Sequence, residues 1–158
     1  MDESAGGLPE GFVPFPENMG FAELVGPLFV HPERRSIGFR VEARHCNPIG
    51  ICHGGMMMTV MDMAIGMAIH AAGGADGFPP SINLAYDFLA PARAGEWLES
   101  RVDFVHTTRR TGFANGYLMG EQGPLLRASG ICKIPGSSNP VFGGTDWRRG
   151  REPDESGT

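Results

Sequence analysis

The chain has 158 residues, of which 41% are hydrophobic and 20% charged, a balance typical of one globular domain with a sizeable core. Its formal net charge of −5 argues against a general nucleic-acid-binding protein, since no basic field covers the surface. The three cysteines, Cys46, Cys52 and Cys132, form no CxxC pair, so we expect free thiols and a cytoplasmic location. The acidic N-terminus (MDESAGG) lacks the basic and apolar regions of a signal peptide, and we expect none.

The first third of the chain predicts a leader, a short helix and two strands. Residues 1–17 are rich in glycine, proline and acids, which indicates a flexible leader. A short helix is predicted for Asn18–Val25, followed by strands at Leu28–Val30 and Ser36–His45. In the second strand apolar and polar residues alternate with a period of two, the pattern of a half-buried strand.

A long apolar run then predicts the central helix. It follows the pair Gly54-Gly55, contains no proline for about seventeen residues, and ends at Gly73-Gly74. Asp62 lies inside the run and no Lys/Arg clusters flank it, so a buried core helix fits better than a membrane span. One flat antiparallel sheet cannot cover both apolar faces of such a helix, so either a second subunit or the curvature of the sheet must bury the rest. A homodimer is the simpler prediction.

The remaining chain predicts four more strands and a tail. Short turns separate the strand-like segments, which we interpret as an antiparallel meander. Residues 135–158 are polar and rich in glycine and proline, and we expect a flexible tail after a single α+β domain at residues 18–134. The four strand-like segments are Ser81–Leu89, Glu96–His106, Phe113–Gly120 and Leu125–Ile134.

Asp62 is the first candidate functional residue. No Lys or Arg lies three or four positions away on the helix, and Gly66, one turn later, leaves room beside the carboxylate. Such a residue suits a general base, but a structural aspartate bonded to the backbone or to Thr59 is an equal alternative on these residues alone.

A second candidate site lies at the start of the helix. The free N–H groups after Gly54-Gly55 can polarise a carbonyl, and the side-chain amide of Asn47 can donate to the same oxygen, although glycine pairs and Asn-Pro turns are often only structural. Gly54 and Asp62 are eight residues apart, about 12 Å along a helix. One carbonyl cannot touch both within one subunit, so a shared reaction requires Asp62 from a neighbouring subunit.

Two other groups of residues are weaker candidates. His45-Cys46 and Cys52-His53 match no common zinc spacing, and adjacent side chains seldom face each other, so we predict neither a metal site nor a thiol nucleophile there. Arg109-Arg110 most simply form a solvated turn, yet they are the best local basic patch for a phosphate-bearing ligand in this acidic chain.

These residues resemble a known family. The pattern Asn47-x2-Gly50-x2-His53-Gly54-Gly55, followed by Asp62 on an apolar helix, is similar to the hotdog-fold acyl-CoA thioesterases, in particular the phenylacetate-pathway type of the 4-hydroxybenzoyl-CoA thioesterase superfamily. The stretch SINLAYDFLAPARAGEWL also resembles that family, and the similarity spans about Asn18–Ile134.

The resemblance implies a curved antiparallel sheet around one central helix, assembled as a homodimer or a dimer of dimers. It implies hydrolysis of acyl-CoA, with CoA as part of the substrate and no separate cofactor. The thioester carbonyl would be polarised by Asn47 and the Gly54 N–H, with Asp62 of the other subunit as general base or nucleophile and Ser81 orienting the water. His53 and Gly55 of the same motif would line the substrate site.

Two alternatives remain open on the sequence. One is a non-catalytic acyl-CoA binding or sensing module on the same fold, against which the presence of both Asp62 and Asn47 counts. The other is a hotdog dehydratase acting on hydroxyacyl thioesters, for which we see no paired histidine and carboxylate motif. Six methionines in the central helix leave the acyl group open, since such residues adapt to varied tails but are more often core.

Overall fold

The computed structural model describes residues 7–73 and 77–135. Seven strands form one antiparallel sheet in the order β1-β2-β3-β5-β6-β7-β4, and one long helix, α2, lies against it. The elements in chain order are β1 Val13–Pro14, α1 Phe21–Val25, β2 Phe29–His31, β3 Ser36–Arg40, a 3₁₀ turn at Ala43–His45, α2 Gly54–Gly73, β4 Ser81–Phe88, β5 Trp97–Thr107, β6 Thr111–Gly120 and β7 Gly123–Lys133.

The core forms where the curved sheet wraps α2. Nine residues of α2 are buried, and the sheet contributes fully buried side chains such as Phe39, Leu98 and Leu118. Two glycines of the sheet allow the helix to approach closely, because a Cβ on Gly112 or Gly130 would collide with side chains of α2. The predicted α+β architecture, one sheet around one central helix, is therefore confirmed.

Two sequence predictions in the N-terminal part were wrong in detail. The strand predicted for Ser36–His45 ends at Arg40, because Glu42 and His45 exchange side-chain and backbone hydrogen bonds that close a 3₁₀ turn. The leader predicted as flexible to residue 17 is packed over part of its length: Phe12 is buried, and β1 pairs with β2. Residues 1–6 and 136–158 lie outside the described residues.

The prediction of a four-strand meander was also wrong for β4. Strands β5, β6 and β7 do form a meander, but β4 pairs with β7 and not with β5. The physical reason is that β3 already occupies the other edge of β5, through pairs such as Phe39 with Leu98. β4 is therefore an edge strand, and within the described part of the chain its outer edge has no partner strand.

One stripe of α2 is not covered by the sheet. Met58 is 36% exposed, and Thr59, Asp62 and Met63 are only half-buried. By length and composition α2 could also cross a membrane, but half of its apolar 18-residue stretch is buried inside the fold, as in the core helix of a soluble domain. The uncovered stripe matches the sequence argument that the sheet alone cannot enclose this helix.

Candidate active site

Asp62 and Ser81 form a hydrogen-bonded pair on the uncovered side of α2. The Ser81 hydroxyl donates to Asp62 Oδ1 at 2.5 Å, and the Cys132 thiol lies 4.0 Å behind Ser81 Oγ. Within residues 7–73 and 77–135 no lysine or arginine forms an ion pair with Asp62. The carboxylate therefore keeps oxygen lone pairs available to a water molecule.

An irregularity in β4 points Ser81 at Asp62. Leu84, Tyr86 and Phe88, two positions apart, all face α2, so a regular strand would turn Ser81 to the opposite face. The pairing with β7 shifts by one residue between Ser81 and Asn83, which leaves Ile82 62% exposed and brings Ser81 to the helix side. The bulge therefore places Ser81, the serine named by the family resemblance, on the side of β4 that faces α2.

Two further groups near Asp62 were missed by the sequence reasoning. Tyr86 donates to the Met58 carbonyl at 3.3 Å; burial, assisted by the Asp62 charge, raises the pKa of Tyr86 to about 12. Burial also raises the pKa of the Cys132 thiol, and the Asp62 charge acts in the same direction. Both groups are therefore protonated at neutral pH. The alternation along β4 could have indicated Tyr86, whereas Cys132 looked like an ordinary core residue.

A cavity of about 300 Å³ opens beside Asp62 and Ser81. Apart from these two residues its lining is mainly apolar, and Gly66 forms part of the wall, as the sequence suggested. A cavity of this kind, apolar with a few convergent polar groups, is typical of a small-ligand site. The apolar lining residues are Phe15, Met19, Ala22, Met63, Gly66, Phe78, Pro79 and Pro80.

The second half of the predicted site lies at the N-terminus of α2. The Gly55 N–H donates to His53 Nδ1 at 2.9 Å, so His53 caps the helix and Gly55 is not an available donor. Among residues 7–73 and 77–135, the Gly54 N–H has no hydrogen-bond acceptor. Of the two glycines, Gly54 is therefore the one that can donate to a ligand.

Asn47 stands in the turn that leads into α2. Its side-chain oxygen accepts the backbone N–H groups of Ile49 at 3.1 Å and Ile51 at 3.3 Å, and Gly50 supplies the positive φ of 81° that the turn requires. Because Oδ1 is held in this way, the Asn47 amide nitrogen remains the donor that can point to a ligand.

The two halves do not meet within one chain. Gly54 and Asp62 lie on one continuous helix, about 12 Å apart along its axis. The Asp62–Ser81 pair faces one cavity, while His53 and Gly55 line a different one of about 480 Å³.

Arg109 and Arg110 lie far from the N-terminus of α2. They stand in the turn between β5 and β6, and both are exposed. The preceding Thr107 approaches Gly73, the last residue of α2. Within one chain these arginines are therefore nearer to the Asp62 half than to Gly54, and their contact with a phosphate stays a prediction.

The weaker candidates have structural roles. Both ring nitrogens of His45 are engaged, one with the Val25 carbonyl and one with the Glu42 N–H. In the described part of the chain no three His, Cys, Asp or Glu residues cluster as a metal site. Burial raises the pKa of Cys52 to about 12, so this thiol is protonated at neutral pH and is a poor nucleophile.

Comparison with known proteins connects this geometry to one family. The sequence profile of the thioesterase superfamily matches residues 49–126. A Pseudomonas aeruginosa protein that carries the name of an esterase (PA0474) is 29% identical over 131 residues, which cover 81% of this chain and 98% of that one. Acyl-coenzyme A thioesterase 13 of Mus musculus is 29% identical over 100 residues, 63% of this chain and 70% of that one.

Solved structures agree on the fold. A mutant of the phenylacetic acid degradation protein PaaI from Thermus thermophilus superimposes with a TM-score of 0.63 at 23% identity, covering 73% of this chain and 98% of that chain. The shared profile spans the end of the Asn47 turn, α2 and most of the sheet. The fold is that of the hotdog thioesterases, and the profile match over residues 49–126 together with the two relatives indicates a thioester hydrolase.

Proposed function

We propose that the protein hydrolyses acyl-CoA thioesters to the free acid and CoA, using a water molecule activated by Asp62 of the neighbouring subunit. The observation that carries the proposal is the divided site: a hydroxyl-bonded carboxylate at Asp62 and free N–H donors at Gly54 and Asn47, with Gly54 and Asp62 about 12 Å apart on one helix. The relative named as an acyl-coenzyme A thioesterase supports CoA as the carrier.

In this mechanism the two halves have separate tasks. The Gly54 N–H and the Asn47 amide donate to the thioester oxygen and stabilise the negative charge that develops on it. Asp62 takes a proton from a water molecule held by Ser81, and the water oxygen attacks the carbonyl carbon. The carbon–sulfur bond then breaks, and the CoA thiolate leaves and is protonated. These steps use no metal or redox cofactor.

The open edge of β4 offers a way to join the halves. The inner face of β4 runs antiparallel to α2: Phe88 lies against Gly54, Tyr86 bonds to Met58, and Ser81 bonds to Asp62. If two copies pair their β4 edges antiparallel about a two-fold axis, the Phe88 end of one strand faces the Ser81 end of the other. Gly54 of one subunit is then brought towards Asp62 of its neighbour.

The surroundings of Asp62 suggest where the substrate lies. The apolar cavity beside Asp62 and Ser81 would receive the acyl group, since its walls are mostly hydrophobic. Arg109 and Arg110 are exposed cations in the turn between β5 and β6, and we retain them as contacts for the CoA phosphates. The free thiols are consistent with a cytoplasmic enzyme.

The test is release of CoA thiol, followed with a chromogenic disulfide, across a panel of acyl-CoAs for the wild type and Asp62→Asn. We expect turnover by the wild type and a loss of roughly a hundredfold or more in kcat for Asp62→Asn, because the general base is removed without changing the shape of the side chain. Asp87→Asn is the matched control, since Asp87 is an exposed β4 carboxylate paired with Arg127 outside the site. A folded Asp62→Asn enzyme with full activity would disprove the mechanism.

A further inference from the structure

Phe88, the last residue of β4, lies directly against the first residue of α2. A Cβ placed on Gly54 would be 2.9 Å from two carbon atoms of the Phe88 ring, closer than real side chains approach. Phe88 is nevertheless 54% exposed, so its ring contacts Gly54 without being enclosed.

The chain around Phe88 is held firmly in this position. Phe88 pairs with Leu126 of β7, and the N–H groups of Leu89 and Ala90 both donate to the Leu125 carbonyl, at 2.9 and 3.2 Å. Four residues after Phe88, the Ala92 carbonyl accepts the Cys52 N–H at 2.8 Å. The segment that carries the ring is thus tied both to the sheet and to the segment that leads into α2.

We propose that the Phe88 ring is a wall of the oxyanion site: it keeps water away from the Gly54 N–H, and a side chain at position 54 would displace it. The inference rests on the proposed function, in which that N–H stabilises the thioester oxyanion. An N–H donor acts more strongly on a developing charge when water is excluded, because the local dielectric is low. An alanine at position 54 would keep the N–H but would push the ring aside.

The experiment is a double-mutant cycle on kcat with Gly54→Ala, Phe88→Ala and the combined variant, using the best acyl-CoA of the wild type. We expect each single variant to lose about tenfold or more in kcat with little change in KM, the pattern of an interaction made mainly in the transition state. The double variant should be no worse than Phe88→Ala, since the added methyl no longer meets a ring.

Leu89→Ala is the matched control, because Leu89 is the next residue and is 52% exposed, almost the same as Phe88. It should keep wild-type kcat. Phe88→Leu should recover part of the lost activity, because it restores an apolar cover. Thermal unfolding of every variant checks that the losses do not come from an unfolded chain.

Four outcomes would overturn the inference. An additive cycle would show that the ring and position 54 act independently, and an active Phe88→Ala enzyme would show that the cover is not needed. A raised KM with unchanged kcat would assign Phe88 to substrate binding only. A folded wild type without turnover on any acyl-CoA would overturn the proposed function itself, and this inference with it.

Discussion

At the scale of single residues, the site depends on one hydrogen bond that the fold makes short. Ser81 Oγ and Asp62 Oδ1 are 2.5 Å apart, within the range for a hydroxyl bonded to a carboxylate. Because Ser81 donates its proton to Asp62 and its oxygen has two lone pairs, one lone pair can still accept from a water molecule placed beside the carboxylate. The serine therefore connects the base and the water in the mechanism we propose.

Ser81→Ala tests that connection. Removing a hydrogen bond to a charged group costs about 1.5–3 kcal/mol, which corresponds to roughly a tenfold to hundredfold loss in kcat. Ser81→Thr keeps the hydroxyl and should retain more activity than Ser81→Ala. The measurement is thiol release at saturating acyl-CoA, with thermal unfolding as the folding control. Equal activity of wild type and Ser81→Ala would remove Ser81 from the mechanism.

Cys52 gives a prediction about pH. Burial raises its pKa from the ordinary 9.0 to about 12, with smaller contributions from Cys46 and Glu96, so the folded state favours the neutral thiol. Its contribution to stability is complete below about pH 9 and is lost as the pH rises towards 12. We expect iodoacetamide to leave Cys52 unmodified in the native protein until the pH approaches 12. In the chain unfolded in urea, Cys52 should react from about pH 9. Peptide mass spectrometry measures the modification in both cases. Native labelling at about pH 9 would contradict the raised pKa.

At the scale of the elements, the sequence predicted which helices and strands form better than it predicted which strands pair. The period of two at Ile37 and Phe39 and the long apolar run to Gly73 identified β3 and α2 correctly. The place of β4 beside β7 was not predictable, because it depends on β3 having taken the edge of β5. The family motif named Ser81, but only the bulge at Ile82 explains why that side chain reaches α2.

Gly66 links helix stability to the shape of the cavity. A Cβ at this position would lie 3.7 Å from the Phe78 ring and 3.8 Å from the Pro79 carbonyl oxygen, which is ordinary contact, so Gly66→Ala should fold. We expect the free energy of unfolding to rise by about 0.5–1 kcal/mol, because glycine inside a helix is less stable than alanine. The added methyl should lower kcat/KM for bulky acyl groups more than for small ones.

Urea unfolding and the acyl-CoA panel measure the two effects of Gly66→Ala separately. Ala68→Gly is the matched control, since Ala68 is half-buried on the same helix and does not line the cavity. It should lower stability by a similar amount and leave the order of acyl preference unchanged. An unchanged preference in Gly66→Ala would show that the cavity does not hold the acyl group.

At the scale of the whole molecule, the strongest inference from the sequence is that Gly54 and Asp62 are too far apart on one helix to contact the same carbonyl within one subunit. One helix carries both residues, and the described chain leaves a stripe of that helix and the edge of β4 uncovered. Neither the symmetry axis nor the number of subunits can be derived from one sequence, because both depend on how complete surfaces fit together.

Mixed dimers test whether the site is shared between subunits. Asn47→Ala and Asp62→Asn should each be nearly inactive, because each dimer then has two damaged sites. In a dimer with one subunit of each kind, one site carries both substitutions and the other carries none. Unfolding and refolding a 1:1 mixture should therefore restore about a quarter of wild-type activity, since half of the dimers are mixed and each has one intact site of two.

Refolding each variant alone is the control and should restore nothing. If the mixture also stays inactive while native mass spectrometry shows mixed dimers, Asp62 and Asn47 act within the same chain, and the shared site is wrong.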